Sequence, residues 1–121
     1  MFLKIKTDVE KELISWAEDI DRLYPLSSTS PLIFNTIKEF VLGNGKRIRP
    51  VLFVLAYLGF SKKAAGGLYR SAVSFELMHD YMLVHDDIID KSDTRRGKPS
   101  VHARFNKYLS GYKNLKFNGQ D

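Results

Sequence analysis

The chain has 121 residues, a length that fits at most one domain, and 44% of them are apolar, which suffices for a packed core and argues against disorder. It contains no cysteine, so disulfide bonds and thiolate metal sites are excluded. The net charge is +5, and basic clusters attract phosphate-bearing partners: nucleic acids, anionic membranes or small phosphorylated metabolites.

The first half of the chain predicts two helices. Apolar residues at spacings of three and four indicate an amphipathic helix over residues 8–24. Residues 26–30 follow as a polar linker. Ser30 and Pro31, a capping hydroxyl and then a proline at the first position, predict a second helix over residues 32–42, which ends before a glycine-rich turn.

Three further segments complete the predicted fold. Pro50 is expected to open a third helix, apolar almost all round and therefore buried. A long helix is predicted from about residue 64 to residue 90, followed by a loop marked by Gly97 and Pro99 and a short helix over residues 101–109. No segment alternates apolar and polar residues as a strand would. The predicted fold class is all-α.

No part of the chain predicts membrane insertion or secretion. The longest apolar run, PVLFVLAYLGF over residues 50–60, is about half the ~20 residues needed to cross a bilayer. The N-terminal sequence MFLKIKTDVEKEL lacks the long apolar region of a signal peptide. We therefore predict a cytoplasmic protein.

Three aspartates at the end of the long helix form a candidate metal site. Asp86 and Asp90 lie one turn apart on one face, and Asp87 flanks them. Carboxylates without histidine or cysteine suit Mg²⁺, which bridges one or two of them to substrate phosphates. The alternative is an acidic helix end left in solvent, although acids at a helix C-terminus oppose the macrodipole and call for compensation.

Cations on both sides of the aspartates form a candidate anion site. In GNGKRIRP, Lys46 and Arg49 lie three residues apart, just before the helix that is predicted to begin at Pro50. Backbone amides at a helix N-terminus bind anions, and flanking cations strengthen such a site. Arg95 and Arg96 can bind phosphate oxygens through their planar forks. The combination predicts two pyrophosphate sites, one bridged by metal and one held by cations.

Two histidines and a basic tail leave alternatives open. His79 lies seven residues before Asp86, two turns or about 10 Å along a helix, although a lone histidine is more often structural. His85 is compatible with simple packing. The basic tail is compatible with a solvated surface, and it contains Lys91, Arg95, Arg96, Lys98, Arg104, Lys107, Lys113 and Lys116.

Taken in order, GKRIRP, ELMHDYMLVHDDIID and TRRGKPSVH resemble the motifs of the trans-type isoprenyl diphosphate synthases, or polyprenyl synthetases. The resemblance extends from about Asn35 to His102. Terpene cyclases share only the DDxxD element and lack the GKRxRP loop. The resemblance implies the N-terminal part of an isoprenoid-synthase-type helical bundle, a homodimer, and head-to-tail condensation of an allylic diphosphate (dimethylallyl, geranyl or farnesyl) with isopentenyl diphosphate.

The resemblance also assigns roles to residues. It implies that Asp86, Asp87 and Asp90 bind Mg²⁺ bridging the allylic pyrophosphate, with Asp86 and Asp90 as the direct ligands. Arg95 matches the arginine that holds the allylic diphosphate. The isopentenyl diphosphate site is matched by Lys46, Arg49, His79 and Arg96.

Product length is assigned in the same way. Tyr81 and Met82, five and four positions before Asp86, match the floor under the growing chain, where bulk shortens the product. Tyr81 together with an uninterrupted DDIID is similar to short-chain geranylgeranyl and farnesyl diphosphate synthases. Ordinary helix packing by Tyr81 is the alternative.

One departure from the family pattern is large. The family carries a second aspartate-rich motif on later helices, which this sequence lacks. We therefore expect residues 1–121 to be an N-terminal fragment of one synthase domain, inactive alone. A short interaction or regulatory subunit of a heteromeric synthase is the alternative, and nucleic-acid binding is not expected because no reader motif accompanies the basic tail.

Overall fold

The computed structural model describes residues 1–112 of the chain. Helices hold 73% of these residues, which confirms the all-α prediction. Lys113 and Lys116 of the basic tail lie outside the described residues. The elements in chain order are α1 (Phe2–Leu23), α2 (Leu26–Thr29), α3 (Pro31–Leu42), α4 (Ile48–Phe60), α5 (Leu68–Ile89), β1 (Thr94–Arg95), β2 (Lys98–Pro99) and α6 (Val101–Leu109).

The described chain forms two compact units, and the boundary between them falls inside α5. The first unit ends at His79 and the second begins at Asp80. The hydrophobic core of the first unit joins α1, α3, α4 and the first half of α5. Its buried members are Ile5, Val9, Leu13, Val41, Val51, Val54, Leu68, Ala72 and Val73.

Helix α1 begins at Phe2, six residues before the predicted start at residue 8. Its buried side chains recur at every fourth position, which places them on one stripe facing α3 and α4. They are Ile5, Val9, Leu13 and Ala17. The prediction missed the first turns because charged Lys4 and Lys6 interrupt the apolar pattern there.

The predicted linker over residues 26–30 is wrong, because Leu26–Thr29 forms the single turn of α2. The carboxylate of Asp21 accepts hydrogen bonds from the Ser27 amide (2.8 Å) and the Ser27 hydroxyl (2.7 Å). An acceptor from the preceding helix therefore satisfies an amide of the first turn. Ser30 is the N-cap of α3 as predicted, but its side chain makes no capping hydrogen bond.

Two predictions for α4 are corrected. The helix begins at Ile48, so Pro50 is its third residue and not its first. It is also not buried all round: Leu52 is 56% exposed and Phe60 is 99% exposed, while Pro50, Val51 and Val54 are buried. One face of α4 packs in the core of the first unit and the other faces outward.

Helix α5 begins at Leu68, four residues later than predicted, because Gly67 before it has a left-handed backbone (φ 88°). The segment predicted as a loop around Gly97 and Pro99 contains a β-hairpin. Thr94 pairs with Pro99 and Arg95 pairs with Lys98 in antiparallel register. The prediction that the chain has no strand is therefore wrong for these two strands of two residues each. Helix α6 has the predicted bounds.

Candidate functional site

The aspartate-rich end of α5, in the second unit, separates its three carboxylates by environment. Asp86 and Asp90 are exposed, whereas Asp87 is only 2% exposed. The Asp90 amide donates to the Asp86 carbonyl (2.8 Å), so the two residues lie one helical turn apart on the same face. Two carboxylates are thus presented together to solvent.

The Asp87 carboxylate forms an ion pair with Arg95 of the hairpin. The Arg95 Nε donates to Oδ2 (2.8 Å) and Nη2 donates to Oδ1 (2.7 Å), the two-pronged geometry in which guanidinium and carboxylate planes match. The hydrogen bonds that Arg95 donates to Asp87 raise the pKa of Arg95 above its usual value, and the charges of Asp86 and Asp90 act in the same direction. Arg95 is the compensating cation that the acidic helix end calls for.

The end of α5 is closed by backbone hydrogen bonds around Lys91. The Ser92 amide donates to the Asp87 carbonyl (2.8 Å) and the Lys91 amide to the Ile88 carbonyl (3.2 Å), the pair of bonds that defines a Schellman motif. Lys91 holds the left-handed conformation (φ 53°) that glycine usually takes at this position. The chain therefore turns sharply after Asp90 and leads directly into the hairpin.

The hairpin turn consists of Arg96 and Gly97. Both have positive φ, 53° and 75°, as a two-residue type I′ turn requires. The Ser100 amide donates to the Asp93 carbonyl (2.9 Å) where the strands meet the rest of the chain. Because the register pairs Arg95 with Lys98, the turn and its closing bond hold Arg95 at Asp87.

The basic segment of residues 46–49, which leads into the first turn of α4 in the first unit, contains cations of two kinds. Lys46 and Arg49 are exposed, and neither makes an ion pair with another residue in the range 1–112. Arg47 between them is 2% exposed and donates to Glu76 Oε1 at 2.7 Å. The sequence pattern assigns Arg47 no role and does not reveal its partner. The signal available was Glu76 itself, an isolated acid in an apolar stretch of α5.

Three predicted site residues on α5 differ in exposure. His79, the last residue of the first unit, is half-buried. Tyr81 is 64% exposed and Met82 55% exposed, so neither is a core residue of the second unit. The Tyr81 ring lies edge-on to the exposed His85 ring, with centroids 4.4 Å apart.

Within residues 1–112, no three histidine, cysteine, aspartate or glutamate side chains converge as a metal site. Asp86 and Asp90 provide two exposed oxygen donors, the number that Mg²⁺ uses when phosphates and water complete its coordination. The residues present thus fit a magnesium ion shared with a phosphate ligand and not a preformed cage. None of the helices in the described part is long and apolar enough to span a bilayer.

Residues 30–111 match the family model of polyprenyl synthetases. The chain belongs to the polyprenyl synthetase family. It is 38% identical over 95 residues to the short chain isoprenyl diphosphate synthase of Methanocaldococcus jannaschii, covering 78% of this chain and 26% of that protein. It is 39% identical over 90 residues to the geranylgeranyl diphosphate synthase of Methanosarcina mazei, covering 71% and 26%.

A third relative is the heptaprenyl diphosphate synthase component 2 of Geobacillus stearothermophilus, 44% identical over 68 residues, or 56% of this chain and 21% of that protein. The matched part of this chain spans about a quarter of the length of these polyprenyl synthetase relatives. The family and the N-terminal position of the resemblance are thereby confirmed. No solved structure matches the chain.

Proposed function

We propose that residues 1–121 are the N-terminal part of a Mg²⁺-dependent trans-prenyltransferase that joins isopentenyl diphosphate to an allylic diphosphate and releases pyrophosphate. Family membership supports this proposal, as do the names of the relatives. The observation that carries it is the pair of exposed carboxylates, Asp86 and Asp90, one turn apart at the end of α5 with an arginine hairpin directly after them.

The aspartates divide into two roles in this proposal. Asp86 and Asp90 would hold Mg²⁺, which when bound supplies positive charge that stabilises the departing allylic pyrophosphate. Asp87 would not be a metal ligand, because both of its oxygens accept hydrogen bonds from Arg95. Its role would be to orient Arg95 beside the allylic diphosphate.

The second diphosphate would be held by cations alone. Lys46 and Arg49 face solvent at the start of α4, where the amides of Ile48 and Arg49 have no partner within the helix. Positive side chains and free amides together favour a bound anion. His79, also in the first unit, would contribute to the isopentenyl diphosphate site, as the resemblance implies.

Incorporation of labelled isopentenyl diphosphate tests the function. The whole protein that contains residues 1–121 is incubated with C5, C10 and C15 allylic primers, with Mg²⁺ or with a chelator. We expect product only with Mg²⁺, and we expect Asp86→Ala or Asp90→Ala to lower the rate by at least about a hundredfold, since charge stabilisation of the leaving group is lost. Unchanged rates in both variants would refute the assignment.

Product length is proposed to depend on Tyr81 and Met82. Their exposure of 64% and 55% leaves both side chains available to contact a growing hydrocarbon chain. We expect Tyr81→Ala to give longer products because the smaller side chain removes bulk from the floor, and chromatography of the products measures this. An identical product distribution would reject the floor model.

A second candidate is a short, non-catalytic subunit of a heteromeric synthase in the cytoplasm. This candidate is supported by the similarity to a relative that is named as component 2 of a heptaprenyl diphosphate synthase. The first proposal expects residues 1–121 to be inactive alone, and the gene to continue into a longer homodimeric enzyme. A gene that ends after Asp121, with activity appearing only when a second polypeptide is added, would favour the subunit.

A further inference from the structure

Arg47 lies in the middle of the basic segment, yet it is the one cation there that is turned away from solvent. Its guanidinium donates from Nη1 to Glu76 Oε1 (2.7 Å), and from Nη2 to the Val41 carbonyl (3.1 Å) and the Gly43 carbonyl. Its Nε lies 3.7 Å from Glu10 Oε1. One side chain thus connects α1, the end of α3, the loop and α5.

The backbone of Arg47 is as constrained as its side chain. Arg47 is the N-cap of α4 in the left-handed conformation (φ 55°, ψ 30°), which a residue with a side chain rarely adopts without compensating contacts. Its carbonyl accepts the first helical hydrogen bond, from the Val51 amide at 3.1 Å. Because Arg47 stands between Lys46 and the first turn of α4, its conformation sets the direction of the chain from Lys46 into the turn that carries Arg49.

Gly45 provides independent evidence that the position of this guanidinium is built into the loop. A Cβ at residue 45 would lie 2.9 Å from Arg47 Nη1, closer than real Cβ contacts, and 3.2 Å from Cζ, so the guanidinium would have to shift. Only glycine at this position leaves the guanidinium room to fold back over the loop.

We infer that Arg47 and Glu76 form a buried latch that positions Lys46 and Arg49, so that Arg47 is a positioning residue for the cation-only diphosphate site. Arg47 itself is not a phosphate ligand, because its buried charge is paired with Glu76, which is also 2% exposed. The inference rests on the proposed function, since it assumes that Lys46 and Arg49 hold a diphosphate.

Binding of inorganic pyrophosphate to residues 1–121 in the presence of a chelator tests the latch without catalysis. Removing metal leaves only the cation site able to bind, and titration calorimetry measures the dissociation constant. Lys46→Ala and Arg49→Ala serve as reference variants that remove the binding groups themselves. Absence of wild-type binding would overturn the cation site and the latch together, whereas the condensation assay tests the enzymatic proposal separately.

Two variants separate positioning from folding. Arg47→Met combined with Glu76→Leu replaces the buried pair by apolar side chains of similar volume, a change that buried ion pairs often tolerate without loss of stability. We expect the double variant to keep the wild-type circular dichroism spectrum and to bind pyrophosphate about tenfold more weakly, as when residues that support binding groups are removed.

Gly45→Ala keeps every charge and displaces only the guanidinium, so it should weaken pyrophosphate binding in the same direction. If the double variant does not fold, Gly45→Ala alone tests whether the position of the guanidinium affects pyrophosphate binding. Gly59→Ala, at an exposed position where a Cβ meets no atom within 4 Å, is the matched control and should bind as the wild type does. Wild-type affinity in Gly45→Ala or in the folded double variant would overturn the latch.

Discussion

Two neighbouring carboxylates, Asp86 and Asp87, show how far one position along a helix can change the role of a residue. Asp87 is buried and forms a two-pronged ion pair with Arg95, whereas Asp86 faces solvent. The sequence alone presents both as equal members of one acidic motif. What separates them is the hairpin that follows, because only Asp87 meets its arginine.

We predict stability losses of different size for substituting these two residues. Asp87→Asn leaves one acceptor oxygen for the Arg95 fork and should lower the free energy of unfolding by about 2 kcal/mol, the range of hydrogen bonds to charged groups. Asp86→Asn, the control, should change it by less than about 0.5 kcal/mol, as exposed substitutions usually do. Urea unfolding of both variants measures the difference. Equal losses would mean that the Asp87–Arg95 pair contributes no stability of its own.

Lys91 carries backbone strain that glycine would relieve. Its φ of 53° is the left-handed region, which costs a residue with a side chain roughly 1–2 kcal/mol relative to glycine. We expect Lys91→Gly to raise the free energy of unfolding by about 0.5–1 kcal/mol after the added flexibility of the unfolded chain is counted. Lys98→Gly, in strand β2 at a residue without positive φ, should lower it. Denaturant midpoints of both variants measure these changes. A loss of stability in both variants would contradict the prediction for Lys91.

At the scale of elements, apolar periodicity and helix-start residues predicted the longer helices, whereas short elements that depend on one side-chain contact or one turn were missed. Helix α6 has its predicted bounds and α3 starts one residue early, because capping and apolar spacing are local signals. Helix α2 depends on the carboxylate of Asp21, which no local pattern reveals. The hairpin has only two residues per strand and a turn of Arg96 and Gly97, which lacks the Asn-Gly or Asp-Gly pair that marks such turns.

The packing of α1 leads to a prediction for two adjacent residues. Leu13 is fully buried in the core of the first unit, whereas Ile14 is 49% exposed. Leu13→Ala should lower the free energy of unfolding by about 2–5 kcal/mol through lost burial and the cavity left behind. Ile14→Ala should cost less than about 1 kcal/mol, since little surface leaves the core. Thermal or urea unfolding compares the two, and similar costs would place the helix in a different rotation from the one described.

At the scale of the whole molecule, the matched part of the chain is about a quarter as long as its relatives. Helix α4 carries an exposed apolar surface in the first unit. Exposed apolar side chains at every fourth position form one stripe, which contains Ile48, Leu52, Ala56 and Phe60. A contiguous apolar stripe of this kind typically marks a surface that another segment or molecule covers.

We therefore expect residues 1–121 to associate in solution through the α4 stripe. Light scattering after size-exclusion chromatography should give a mass above the 13.9 kDa of the monomer, rising with concentration. Leu52→Lys with Phe60→Lys should restore the monomer mass, because charged side chains cannot be buried unpaired at such a contact. Lys62→Glu with Lys63→Glu, just beyond the helix, changes charge without touching the stripe and should leave association intact. A monomer at all concentrations, or association that survives the Leu52 and Phe60 substitutions, would show that the stripe is not the contact.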